Sequence, residues 1–123
     1  MRRVDYLIVY VADLDRSVRF YRDLLGLELR FQEPGYAEFA TEGTRLGLFP
    51  RAQVPDLLGR PAGAGPVAEV AFLVDDVDAE AARLRAAGAT VLAGPVDRPW
   101  RQRTLHLADP DGFVVELAQD LPR

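Results

Sequence analysis

The chain has 123 residues, of which 49% are apolar and 28% are charged, a composition typical of a soluble globular domain without a membrane-spanning segment. It contains no cysteine, which excludes disulfides, a thiol nucleophile and thiolate metal ligands. Its net charge of −4 and its pI near 4.9 argue against nucleic acid as a partner.

The first half of the chain predicts a strand, a helix and three further strands. Residues 7–11 form a near-continuous apolar run that is typical of a buried strand. Asp13 is placed to cap a helix whose apolar residues recur at helical spacing until Gly26 stops it. Further strands are predicted at residues 27–31, 36–40 and 45–49. Because the strand pattern begins almost at Met1, we expect no signal peptide and a cytoplasmic protein.

The second half repeats this plan. A strand is predicted at residues 67–74, and Asp76 is placed to cap a helix that stops at Gly88. Residues 109–112, Asp-Pro-Asp-Gly, have the composition of a tight turn. Further strands are predicted at residues 90–92, 103–108 and 113–118.

The two halves are copies of one supersecondary unit. Residues 4–27 align with residues 67–91, and the helix caps fall on equivalent positions. Two copies are too few for a solenoid, so we expect a single domain, residues 1–123, built from two βαβββ modules. The predicted boundaries are module one at 1–50, a linker at 51–66 and module two at 67–123. The linker is rich in Pro, Gly and Ala, and residues 54–58 are predicted to form a short helical turn within it.

Strand alternation separates two faces of the predicted sheet. One face is wholly apolar and should pack against the helices. The other is apolar with a few polar groups, which is typical of a small-molecule pocket, although a solvent-facing or dimer-facing surface has the same pattern. The predicted members of this second face are Tyr6, Ile8, Tyr10, Arg45, Gly47, Phe49, Glu69, Ala71, Leu73, Thr104, His106, Val114 and Glu116.

Motifs at both ends of the chain resemble a known family. Residues 11–21, VADLDRSVRFY, followed by Leu-Gly-Leu at 25–27, are similar to the opening of a vicinal oxygen chelate domain. That superfamily groups glyoxalases, bleomycin-resistance proteins and extradiol dioxygenases. The segments similar to its closing part are 109–112 with 116–117, and Pro99, Trp100 and Arg103. The resemblance covers essentially the whole chain. It implies an α+β fold, with two βαβββ modules forming an open, cup-shaped mixed sheet with helices on its outer face, and a homodimer.

The resemblance also implies where a metal would bind. Family members with metal chemistry place a His or Glu ligand on the first and last strand of each module. Carried over to this chain, these positions are Tyr6, Gly47, Glu69 and Glu116. Tyr6 stands where a His is expected, and Gly47 has no side chain. We therefore expect no complete metal site and no cofactor, with Mn²⁺, Mg²⁺, Ni²⁺ or Zn²⁺ at Glu69 and Glu116 as the alternative.

The two carboxylates are also the predicted catalytic residues. If they lie close together, their repulsion would raise one pKa and make Glu69 and Glu116 an acid–base pair. Alternatively, they form structural ion pairs with Arg45 or Arg103. The residues predicted to bind an organic ligand are Tyr6, Tyr10, Phe49, Trp100, Arg103 and His106. For both residues a structural role is the alternative: His106 as a strand residue satisfied by a neighbour, and Trp100 as a plug at the sheet edge.

Three functions fit these observations. The first is a protein that binds a small, partly aromatic or hydrophobic molecule in a concave pocket without a complete metal site. The second is a metal-dependent enzyme of glyoxalase or dioxygenase type with a degenerate ligand set. The third is a structural or regulatory dimer module. Fold alone does not choose among them.

Overall fold

The structure, a computed structural model, describes residues 2–59, 61–63 and 68–122. The chain divides into two compact units, residues 1–65 and 66–123, each with one four-stranded sheet. We call them unit one and unit two. In both, the chain order is strand, helix and three strands, which confirms the predicted α+β fold of two βαβββ modules. The cup shape and the single-domain assignment stay predictions.

Unit one contains a mixed sheet in the spatial order β1-β4-β3-β2. Its strands are β1 (Tyr6–Val11), β2 (Leu29–Glu33), β3 (Tyr36–Phe39) and β4 (Arg45–Pro50). Strands β1 and β4 are parallel, and the other neighbours are antiparallel. Between β1 and β2 lie helix α1 (Leu14–Arg19) and a π-helical turn (Phe20–Leu24) that sequence periodicity did not predict.

Unit two has the equivalent order β5-β8-β7-β6. Its elements are β5 (Glu69–Leu73), α3 (Val77–Ala86), β6 (Thr90–Arg98), β7 (Gln102–Ala108) and β8 (Val114–Asp120). Strands β5 and β8 are parallel, and β7 pairs antiparallel with both β6 and β8. Among the described residues, no helix has the length and apolar character needed to span a bilayer.

The helix boundaries follow the predicted signals. The Asp13 carboxylate accepts a hydrogen bond from the Arg16 backbone N–H at 3.1 Å, and Asp76 caps α3 in the same way. Gly26 and Gly88 adopt φ values of 82° and 83°, where other residues are strained. Each cap satisfies a backbone donor that the first helical turn leaves unpaired.

Strand β6 is the element whose observed length differs most from its predicted length. We expected a strand at residues 90–92, but β6 continues to Arg98 through Gly94 and Pro95. The register with β7 shifts between Val91 and Val96, so bulges absorb these residues. Proline is tolerated because β6 is an edge strand, whose outer N–H groups have no neighbouring strand to pair with.

The predicted linker is partly helical. Arg51–Gln53 form a 3₁₀ turn, and α2 (Val54–Leu58) confirms the predicted helical turn. Residues 60 and 64–67 lie outside the described residues, and so does the predicted start of the following strand at Val67.

The apolar face of each sheet packs against its own helix, as predicted. In unit one, Val18 and Tyr21 are buried, and the Tyr21 ring lies 5.9 Å from that of Phe39 in β3. In unit two, the helix α3 contacts β6, β7 and β8. The buried side chains that α3, β7 and β8 place in this core are Val77, Ala81, Leu84, Leu105, Leu107, Val115 and Leu117. This packing leaves the opposite face of each sheet free of its own helix.

The turn before β8 is organised by one buried carboxylate. Asp109 is only 5% exposed, and its Oδ1 accepts hydrogen bonds from the backbone N–H groups of Asp111 and Phe113 at 2.9 and 2.8 Å. The turn therefore sets where β8 begins, and with it the positions of the β8 side chains.

Replacing Asp109 with Ala should lower the free energy of unfolding by about 1–3 kcal/mol, because two partly buried backbone hydrogen bonds lose their acceptor. Urea denaturation monitored by circular dichroism measures this change. The exposed Glu42→Ala is the control and should stay within about 0.5 kcal/mol of the wild type. Equal stability of the two variants would contradict the role assigned to Asp109.

Candidate functional site

Three side chains able to bind a cation converge on the face of the unit-two sheet that lies opposite α3. Glu69, Glu116 and His106 stand on the neighbouring strands β5, β8 and β7. Glu116 is the direct register partner of His106. The His106 Nε2 lies 3.4 Å from Glu116 Oε1 and 3.7 Å from Glu69 Oε2. One ligand atom from each residue lies within 4.8 Å of the other two.

These distances are longer than those of good N–H···O hydrogen bonds. They match the spacing of neighbouring ligands on one tetrahedral metal ion, which is about 3.4 Å when the bonds are about 2.1 Å long. Two carboxylates and an imidazole form a ligand set suited to Mn²⁺, Ni²⁺ or Zn²⁺. The residues therefore fit a divalent metal that keeps open coordination positions.

The cluster carries excess negative charge whether His106 is neutral or protonated. The side chains of Glu116 and His106 are 15% and 19% exposed, whereas that of Glu69 is 45% exposed. Like charges held this close repel one another unless a cation lies between them. Glu69 is thus the member most accessible to a ligand from solvent.

A buried threonine and an arginine border the cluster. Thr104 lies two residues before His106 on β7 and is fully buried. The Arg98 Nε donates a hydrogen bond of 2.9 Å to Thr104 Oγ1. Sequence reasoning missed Arg98 because it did not extend β6 that far, so the face on which Arg98 lies was not assigned.

The remaining predicted site residues lie on β7, in the β6–β7 turn and in unit one. Arg103 is on β7 but pairs with Asp97 and Asp78, at 2.7 Å each. Trp100 is in the β6–β7 turn and is 62% exposed, with its Nε1 donating to Gln102. Unit one contains Tyr6, Tyr10 and Phe49, of which the last two have ring centroids 6.2 Å apart.

Arg103, one of the alternative ion-pair partners considered for Glu69 and Glu116, pairs with Asp78 and Asp97. Arg45 instead pairs with Glu38 of unit one. Among the described residues, the basic side chain within 4 Å of both carboxylates is His106.

Strand register identifies the equivalent position in unit one. Gly47 pairs with Ile8 on the parallel side and with Glu38 on the antiparallel side. Glu116 pairs in the same way with Ala71 and His106. Gly47 is therefore equivalent to Glu116, which confirms the pairing drawn from the sequence repeat, and Glu38 is equivalent to His106.

Glu38 is a buried carboxylate with three donors. Its Oε2 accepts from Arg30 at 2.6 Å and from Arg45 at 3.2 Å, and its Oε1 accepts from the Tyr36 hydroxyl at 2.9 Å. Burial acts to raise the pKa of Glu38, but the hydrogen bonds from Tyr36, Arg30 and Arg45 hold it below its ordinary value. Burial and the bond to Glu38 raise the pKa of Tyr36 to about 12, so its hydroxyl stays neutral near pH 7.

Tyr36 also explains why position 47 carries no side chain. A Cβ built on Gly47 would meet the Tyr36 hydroxyl and the edge of its ring. Gly47 has no positive φ, so the constraint is space and not backbone conformation. In unit one a tyrosine occupies the volume that the Glu116 side chain occupies in unit two.

The structure is that of a two-module α+β protein in which three potential cation ligands cluster on one sheet. The pattern that describes the Glyoxalase/Bleomycin resistance protein/Dioxygenase superfamily matches residues 3–117. The chain belongs to this superfamily, which confirms the resemblance stated above.

Individual relatives extend this similarity. The chain is 31% identical to a probable lactoylglutathione lyase of Vibrio parahaemolyticus, over 96% of this chain and 91% of that protein. A glyoxalase/bleomycin resistance protein/dioxygenase from Nocardioides is 30% identical with a TM-score of 0.81, covering 98% of this chain and 85% of the other. Lactoylglutathione lyase from Agrobacterium tumefaciens is 25% identical with a TM-score of 0.79, covering 97% and 94%.

Replacing Gly47 with Ala should destabilise the protein by about 1–3 kcal/mol, because the new methyl group displaces Tyr36. In a Tyr36→Ala background the same change should be nearly neutral. A double-mutant cycle from urea denaturation should therefore give a coupling of at least about 1 kcal/mol. Additive effects would show that Tyr36 does not limit position 47.

Replacing Glu38 with Gln should lower the free energy of unfolding by about 1–3 kcal/mol at neutral pH, because two guanidiniums lose the negative charge that they share. Since the pKa of Glu38 is lowered in the folded state, its stabilisation is fully present above the ordinary value of 4.5. That stabilisation is lost as the pH falls through the lower folded pKa. Chemical denaturation between about pH 3 and pH 8 should show the gap to the wild type closing only in acid. A gap that instead widened in acid would contradict this assignment.

Proposed function

We propose that this protein binds a divalent metal ion through Glu69, His106 and Glu116, and that it is a metal-dependent enzyme acting on a small organic molecule. The observation that supports this most is the convergence of three ligand atoms from three neighbouring strands within 4.8 Å. The sequence favoured a metal-free binding protein because only two family ligand positions were filled. His106, on a strand that the resemblance did not implicate, supplies the third donor.

The chemistry of the donors supports this choice. An imidazole beside two carboxylates favours Mn²⁺, Ni²⁺ or Zn²⁺ over Mg²⁺, which prefers oxygen ligands alone. When bound, such an ion polarises a carbonyl or hydroxyl oxygen of a substrate placed in an open coordination position.

The side chains of the cluster would share the remaining work. A carboxylate can hold a cation through one oxygen and accept a proton through the other. Glu69 suits this double role because it is the most exposed member of the cluster. Glu116 is less exposed and would mainly position the ion and His106.

The relatives support an enzymatic function. The probable lactoylglutathione lyase of Vibrio parahaemolyticus and the lactoylglutathione lyase of Agrobacterium tumefaciens are both named as lyases. We extend the reaction class to this chain as part of the proposal. Its substrate stays open.

A metal-free binding protein is the second candidate. Two observations favour it: Tyr6 has no metal-ligating group typical of the family, and Tyr36 fills the space beside Gly47. In this case the negative cluster of unit two would bind a cationic group of the ligand, and the aromatic contacts expected from the sequence stay a prediction. A homodimer and a cytoplasmic location belong to both candidates and stay predictions.

Titration of metal-free protein separates these candidates. Calorimetry with Mn²⁺, Ni²⁺ and Zn²⁺ should give one site per chain with a dissociation constant in the micromolar range or below. At a free concentration of one hundred times that constant, the folded state should gain about 2.7 kcal/mol, visible as a higher melting temperature. Binding no tighter than millimolar would overturn the metal proposal and leave the second candidate.

Substitutions locate the site. Glu69→Gln, His106→Ala and Glu116→Gln should each weaken metal binding by at least about tenfold. Glu80→Gln is the matched control because this carboxylate pairs with Arg83 on α3, away from the cluster. Wild-type affinity in all three cluster variants would place the metal elsewhere.

A further inference from the structure

Two arginines of unit one converge on a single carboxylate oxygen and remain partly open to solvent. Arg30 Nη1 and Arg45 Nη1 lie 2.6 and 3.2 Å from Oε2 of Glu38. The carboxylate is 4% exposed, whereas the arginine side chains are 48% and 39% exposed. We propose that Arg30 and Arg45 form a binding site for an oxyanion, a carboxylate or phosphate group of a small molecule. Its residues belong to unit one, whereas the proposed metal ligands belong to unit two.

The charge of the cluster favours an anion. Two guanidiniums share one carboxylate, so one positive charge is left without a counterion in the cluster. Tyr36 donates to the same carboxylate from the other side and adds no charge near pH 7. Two neighbouring guanidiniums repel each other, and a second anion on their solvent side would relieve that repulsion.

The donors needed for such an anion are present. A guanidinium has five N–H donors, and within the described ranges each of these two arginines gives one side-chain hydrogen bond to a protein acceptor. Paired N–H groups match the oxygens of carboxylates and phosphates. Because Glu38 already holds both guanidiniums, an anion would find them ordered, which lowers the entropic cost of binding.

A bulge in strand β2 brings Arg30 beside Glu38. The register of β2 and β3 shifts between Leu29 and Phe31, so Arg30 is the extra residue of a bulge. Its guanidinium carbon lies 5.6 Å from the ring centroid of Phe31, which is 37% exposed. The anion would therefore lie beside an exposed aromatic ring, which suits a carboxylate attached to an apolar group.

The clusters at equivalent positions of the two units thus carry net charges of opposite sign. Glu38 occupies the register position of His106, and Gly47 that of Glu116. In unit two these positions and Glu69 form a cluster with excess negative charge. In unit one the same positions of the sheet support a pair of arginines with excess positive charge.

Nuclear magnetic resonance tests the proposal directly. The Nε–Hε signals of Arg30 and Arg45 are followed during titration with inorganic phosphate and with benzoate, at constant ionic strength maintained with sodium chloride. Saturable shifts of these two signals, and not of those of Arg22 and Arg103, are the expected result. Tighter binding of phosphate would identify a tetrahedral anion, and tighter binding of benzoate a planar one. Linear shifts shared by all arginines, or no shifts with either probe, would overturn the site.

Substitutions provide a second test of the anion site. Arg45→Gln and Arg30→Gln should each weaken binding of the better probe by about tenfold, since each removes charge-assisted hydrogen bonds. Arg22→Gln is the control because its partner Asp23 lies on the helical surface. Unchanged affinity in both arginine variants would overturn the proposal. If Arg45→Gln fails to fold, Arg45→Lys keeps the charge and should still bind less tightly, because the paired donors are lost.

Success or failure here is independent of the metal proposal. The anion titration uses metal-free protein, and Arg30→Gln and Arg45→Gln should bind Mn²⁺ with wild-type affinity. A protein without metal affinity but with saturable anion shifts would therefore retain this site. The reverse result would retain only the metal cluster.

Discussion

The pairing of the last strand of each unit is the constraint on which both clusters depend. In unit two, β8 lies between β5 and β7, and Glu116 is held beside Ala71 and His106. A slip of one residue would turn Glu116 towards α3, because successive side chains of a strand point to opposite faces. The buried Asp109 carboxylate sets the start of β8 and so protects this register. The positions of the side chains in the cluster are therefore fixed by the register of these strands.

Unit one has the same strand pairing, but its polar side chains form a cluster of opposite net charge. The parallel first and last strands and the antiparallel third strand are retained, and the side chains differ. Tyr36 covers Gly47 and donates to Glu38, so one aromatic residue both fills the vacant position and orients a buried carboxylate. Burying that carboxylate is tolerated because it is fully hydrogen-bonded. A duplicated unit can thus keep its fold while the polar residues of one copy change, since the core lies on the other face.

Much of the fold could be predicted because its signals are local. The caps Asp13 and Asp76, the stops at Gly26 and Gly88, and the apolar alternation each act within a few residues. The prediction was wrong where contacts between strands outweigh the local sequence pattern. Strand β6 continues through Gly94 and Pro95 because edge position and bulges tolerate them, and neither feature can be read from β6 alone. For the same reason Arg98 was not assigned to any face.

The sequence by itself determined the repeat, the family and the choice of Glu69 and Glu116 as candidate site residues, because these depend on residue identity and spacing. Only the tertiary structure decided that the His106 imidazole lies 3.4 Å from Glu116 and 3.7 Å from Glu69, and that Arg45 pairs with Glu38. It also decided that a bulge carries Arg30 to the same carboxylate. Such contacts join strands that are distant in the chain, and their distances depend on register, bulges and burial. A pattern of residues states which groups are available, whereas the packing of strands sets which of them meet.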